Sequence, residues 1–222
     1  MKDKNRREEL SKEDKLLDRG IELFSKNGYD ATTTRTIAAS CGINVATISF
    51  HFGSKEGFYI AVMKHAADLM EKDLRPFSTK VEQYMSGPVY EEKTLALIDE
   101  FFDVIINIVK NKKKSSLLYL LIREQTNPPD GDYPLTRTVY KQSEKLLINL
   151  LMSLRPNCDA TALAILCRLI IGGLISQAEH PLFIRRLLDL ADDAELGDKV
   201  WVEEKRFAIS AVNYFLDHSK PV

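Results

Sequence analysis

The sequence predicts an all-α protein: a small N-terminal head of three helices, containing a helix-turn-helix, followed by a larger C-terminal helical bundle. Three observations carry this expectation. Apolar residues recur at spacings of three and four, as at Leu17, Ile21 and Phe24. No stretch alternates convincingly with period two, so no sheet is expected. Glycine and proline interrupt the pattern at Gly28, Gly42, Gly87-Pro88 and Asn127-Pro128-Pro129-Asp130-Gly131, dividing the chain into helix-length pieces.

Each element follows in turn. Residues 1–12 are charged and aperiodic and read as a flexible arm. A first helix spans Glu13 to Asn27, with Gly28 just beyond its end. Two short helices joined at Gly42 come next. A fourth helix starts near Lys55 and carries Phe58, Val62, Ala66 and Leu69. The pattern breaks around Pro76 and again at Gly87-Pro88, which marks a boundary zone. Helices are then expected over Glu91–Lys110, Ser115–Thr126, Tyr133–Leu154, Asp159–Glu179, His180–Leu190 and Lys199–His218. The helix from Glu91 ends in the cationic cluster Lys110, Lys112, Lys113 and Lys114, suited to a helix C-terminus. The head is assigned to residues 1–60 and the body to 61–222.

Composition narrows the function classes. The 222 residues are 45% apolar, enough for a proper core, and 28% charged. No secretory h-region follows the charged start, and the best membrane candidate, Ala162 to Ser176, is too short to span and carries Arg168. It reads as a buried helix, so no membrane partner is expected. Cys41, Cys158 and Cys167 lack metal spacing and fit a reducing cytoplasm without disulfides. His51, His65, His180 and His218 are scattered, and no nucleophile elbow or phosphate loop is present. No enzyme activity, cofactor or metal is therefore expected.

The richest segment runs from Thr33 to Phe52. Ile37, Ala38 and Cys41 form an apolar face on its first helix, and Ile48 and Phe52 do the same on the second. Thr34, Arg35, Asn44, Thr47, Ser49 and His51 fall on the other face, where small polar groups and isolated cations reach phosphates and base edges. This is the pattern of a DNA-binding helix-turn-helix. Arg35 has the reach for a guanine or a phosphate. Asn44 either caps the second helix or contacts adenine. Val45 and Ala46 suit thymine methyls, and Thr47 and His51 suit phosphates. Residues 1–60 hold ten Lys/Arg against nine Asp/Glu, so these groups must act locally, on a specific site rather than on bulk DNA.

The flanks sharpen the reading. Leu23-Phe24 and Gly28-Tyr29-Asp30-Ala31-Thr32-Thr33 lead into the motif, and Gly53-Ser54-Lys55-Glu56-Gly57-Phe58-Tyr59 follow it. Together, Leu16 to Tyr59 closely resembles the DNA-binding domain of the tetracycline-repressor (TetR) family of bacterial transcription regulators. Lys55 matches that family's phosphate-binding lysine, and Phe50 a commonly aromatic site. One departure stands out: Ser49 occupies a position that is usually tyrosine. A serine can still donate to a phosphate but cannot lie across the sugar-phosphate backbone.

The resemblance implies a homodimer on a double-stranded operator of two-fold symmetry, joined through its last two long helices. It also implies a body that senses a small-molecule effector of unknown identity and leaves the operator on binding it. Candidate effector residues are the polar or aromatic positions set in apolar helices: Phe101, Phe102, Tyr119, Arg123, Gln125, Tyr140, Arg168 and Gln177. The alternative is a DNA-binding dimer without a small-molecule effector, controlled by a protein partner.

Overall fold

The computed structural model describes residues 2–111, 114–126, 133–192 and 194–219. Lys112, Lys113 and the loop expected at residues 127–131 lie outside them. The order is α1 (Lys2–Ala31), α2 (Thr34–Cys41), α3 (Val45–Phe52), α4 (Lys55–Met85), α5 (Glu91–Lys110), α6 (Ser115–Thr126) and α7 (Pro134–Val139). A π-helical turn, Tyr140–Glu144, then leads into α8 (Lys145–Leu154), α9 (Ala160–Glu179), α10 (Pro181–Leu187) and α11 (Asp198–His218). No strand occurs among the described residues, as the absence of period-two alternation implied.

Two boundaries differ from the local pattern. Helix α1 begins at Lys2, through the stretch read as an aperiodic arm. That stretch is rich in Lys, Arg and Glu and has no glycine or proline, so it forms helix on propensity. Helix α4 continues through Pro76, where a break was expected. An interior proline removes one ladder hydrogen bond. Leu74, Phe77 and Val81 on either side are nearly fully buried, and their burial holds the helix together.

The chain forms two compact units. The first comprises residues 1–71 with 116–138, so α6 and α7 belong with the head helices. Its core holds Leu17, Ile21, Phe24, Ile37, Ile48, Phe58 and Val62, with Leu120 and Leu135 from the later segment. Glu124 of α6, fully buried, accepts hydrogen bonds from the backbone N–H of Leu135 (3.2 Å) and of Thr136 at the start of α7. A carboxylate at that positive helix end satisfies two orphan donors.

The second unit comprises residues 72–115 and 139–222. Its core gathers Phe101, Phe102, Leu147, Leu150, Leu163, Ile171 and Val212. Helices α5 and α11 run antiparallel and are tied by ion pairs. Lys205 reaches Asp99 (2.9 Å) and Asp103 (2.7 Å), and Lys110 reaches Asp198 (2.7 Å). Partial burial works against the Lys205 charge, but its hydrogen bonds to Asp103 and Asp99 outweigh that and raise its pKa. The hydrogen bond from Lys110 holds the Asp198 carboxyl below the usual aspartate range. Cys167 is buried, and desolvation, helped by Glu144, pushes its thiol up to about 12.

Candidate nucleic-acid interface

The motif is built by its caps. Thr33 precedes α2 and its hydroxyl accepts from the Thr36 N–H at 3.0 Å, which leaves the hydroxyl of Thr34 out of the cap. Gly42 ends α2 with φ 65°, the left-handed geometry that closes a helix, and Ile43 N–H then bonds Ala38 C=O at 3.0 Å. Asn44 caps α3: its Oδ1 accepts from Ala46 N–H at 2.9 Å, which is the capping arm of the two roles considered for it. Ile48 is fully buried and anchors α3 to the head.

That anchoring turns a stripe of α3 outward. Val45 and Ser49, four apart, are exposed, as are Ala46 and Phe50 beside them. Phe50 is 85% exposed, an unusual position for a phenylalanine, with the His51 ring edge-on at 5.1 Å. The sequence offered a signal for it: Phe50 lies two residues from both Ile48 and Phe52, out of helical phase with that apolar pair. Arg35 and His51 are exposed, and Thr47 is half-buried. A groove of about 750 Å³ lies between α1 and the motif, and Lys15, Arg19, Thr47 and His51 help to line it. Lys15 and Arg19 therefore join the cations near the proposed DNA face, although neither belongs to the motif.

Lys55 is held more firmly than a surface lysine. Its Nζ lies 4.2 Å from the Tyr29 ring centroid and donates to Asp30 C=O at 3.4 Å. Tyr29 in turn stacks on Phe24 and meets Tyr59 edge-on at 5.0 Å. Burial, then Glu56 and Asp30, raise the Tyr29 pKa, so the ring remains a neutral platform.

The candidate effector residues fall in both units. Tyr119, Arg123 and Gln125 lie in the first. Arg123 donates to the carbonyls of Ser25 (3.0 Å) and Lys26 (3.4 Å), and Gln125 is exposed. In the second unit Phe101 and Phe102 are buried against each other at 5.4 Å. Tyr140 opens the π turn and is half exposed, Arg168 pairs with Glu144, and Gln177 donates to Glu204 at 2.6 Å.

Residues 16–62 match the model of the bacterial regulatory proteins of the tetR family. The chain is 31% identical over 114 residues to the HTH-type transcriptional dual regulator CecR of Shigella flexneri, a match spanning about half of each protein (51% and 51%). It is 26% identical over 187 residues to the HTH-type transcriptional repressor ComR of Escherichia coli K12, covering 80% of this chain and 84% of that one. The fold matches that of AibR, solved with isovaleryl coenzyme A and operator DNA, at TM-score 0.61 and 15% identity over 88% of this chain and 94% of AibR. With the capped helix-turn-helix, the outward stripe of α3 and these likenesses in agreement, residues 16–62 form a DNA-binding domain of the tetR family, and the chain as a whole is similar to transcriptional regulators of that family.

Proposed function

We propose that the protein is a homodimeric repressor that binds a two-fold-related operator and releases it on binding a small amphipathic molecule. The carrying observation is the exposed stripe Val45, Ala46, Ser49 and Phe50 on a capped, core-anchored α3. One eight-residue recognition helix reads too few base pairs for specificity, so two copies are needed. Thr34, Arg35, Thr47, His51 and Lys55 would hold the backbone around that stripe, with residues 1–60 as the reading head and 61–222 as the sensing and dimerisation body. A regulator of this kind acts on the chromosome, in the cytoplasm.

The surface of α9 supports the dimer. It was read as a buried helix, yet its apolar window Ala160–Gln177, long enough by length and composition to cross a membrane, is only 28% buried within the chain. Ile165 and Leu169 on α9 and Val202, Phe207 and Tyr214 on α11 are exposed. A Cβ at Gly172 or Gly173 would meet nothing within 4 Å, so neither glycine makes room inside one protomer. A second copy of α9 and α11 would cover these faces.

The effector half rests on the body itself. It is larger than a dimerisation bundle needs, and a π turn at Tyr140–Glu144 joins α7 to α8, a feature frequent at functional sites. AibR, which shares the fold, was solved with an acyl coenzyme A. The ligand must favour one spacing of the two recognition helices, and a coupling of roughly 1–3 kcal/mol gives a 5- to 150-fold change in operator affinity. The test is a thermal-shift screen of amphipathic compounds, isovaleryl coenzyme A among them, followed by gel shift on a duplex selected from a random library. Stabilising compounds that leave DNA affinity unchanged would pass the reading to control by a protein partner.

A further inference from the structure

We propose that Arg123 of α6 is a positioning residue for DNA binding: it closes the end of α1 and thereby sets the Tyr29–Asp30 cradle that presents Lys55 to a phosphate. The inference rests on the reading of Lys55 as a phosphate contact, and all residues involved lie in the first compact unit.

The regular ladder of α1 breaks at Gly28, whose φ of 80° and ψ of 174° are not helical. A helix that stops exposes the carbonyls of its last turn. Arg123 supplies partners for two of them, Nε to Ser25 C=O and Nη2 to Lys26 C=O, and its positive charge faces the negative end of the helix. The guanidinium lies close against Gly28, since a Cβ there would come within 2.9 Å of Nη1. Thr32, fully buried, ties the far side of the same turn by donating to Gly28 C=O at 2.7 Å. The backbone leaving Gly28 is thus held from both sides.

The next two residues are the ones that hold Lys55. Tyr29 offers its ring face and Asp30 its carbonyl. An ammonium has three protons, so with one on Asp30 and the ring beneath it, it retains a donor for a phosphate. A shift of the Gly28 turn moves both supports together.

The test is salt-dependent binding to a short random-sequence duplex by the full-length protein. Removing one phosphate contact lowers the slope of log K against log salt by about 0.9. Lys55→Ala should show this loss, and Arg123→Ala should show most of it, with affinity down about 5- to 10-fold. In the Lys55→Ala background Arg123→Ala should cost little more, because both remove the same contact. Arg123→Gln, which keeps one donor, should fall between and serves if Arg123→Ala does not fold. A merely structural Arg123 would lower the melting temperature and leave the slope at its wild-type value, which overturns the proposal. If Lys55→Ala itself leaves the slope unchanged, the phosphate reading of Lys55 fails first and the cradle with it.

Discussion

At the scale of single residues, α3 shows how one buried side chain decides the role of its neighbours. Ile48 points into the head, so Phe50 cannot, and it stands in solvent where a groove would meet it. Phe50→Ala should leave unfolding within about 0.5 kcal/mol of wild type, as for other surface changes, while costing operator affinity of order 1 kcal/mol. Denaturant melts and gel shifts on the same samples check both halves. Ser49→Tyr restores the usual family side chain on the same exposed stripe and should tighten binding to every sequence alike; an unchanged or weaker affinity would show that Ser49 faces no backbone. Cys167 gives a pH prediction. With its thiol pushed up to about 12 it stays protonated, and so a poor nucleophile, throughout the neutral range. Alkylation at pH 8 followed by peptide mass analysis should label the native protein at Cys41 and Cys158, and at Cys167 only after unfolding.

At the scale of elements, α4 carries the largest local conflict. Pro76 inside a 31-residue helix costs a hydrogen bond that the burial of Leu74, Phe77 and Val81 offsets. Pro76→Ala should therefore stabilise the protein by about 1–3 kcal/mol. Trp201, the sole tryptophan and buried in α11, reports the urea transition by its fluorescence. A destabilised variant would mean that the packing around Pro76 is shaped to the ring. The head elements show the reverse case, in which local chemistry and fold agree. Thr33, Gly42 and Asn44 sit at caps and turns where such residues are favoured, so the motif was readable from its spacing.

At the scale of the whole molecule, the exposed apolar faces of α9 and α11 are the surfaces a dimer would cover. The double variant Leu169→Glu, Phe207→Glu places charge in that proposed seam. It should sediment as a monomer and lose operator affinity by about 10²- to 10⁴-fold, the gain that linking two half-site readers supplies. A variant that stays dimeric with full affinity would move the interface elsewhere.

By itself the sequence determined the helical class, the helix-turn-helix and the exposure of Arg35, Asn44, Ser49 and His51, because helical period, caps and turns are written in residues a few positions apart. The tertiary structure alone decided that Pro76 lies within a helix and that α9 keeps an open apolar face. It also decided that Glu124 caps α7 and that Arg123 bonds Ser25 across 98 positions of chain. Arg123, Glu124 and Gln125 read identically as polar residues after an apolar run, yet one closes α1, one caps α7 and one faces solvent. Burial and long-range hydrogen bonds are properties of pairs brought together by folding, and local spacing carries no record of which partner a side chain will meet.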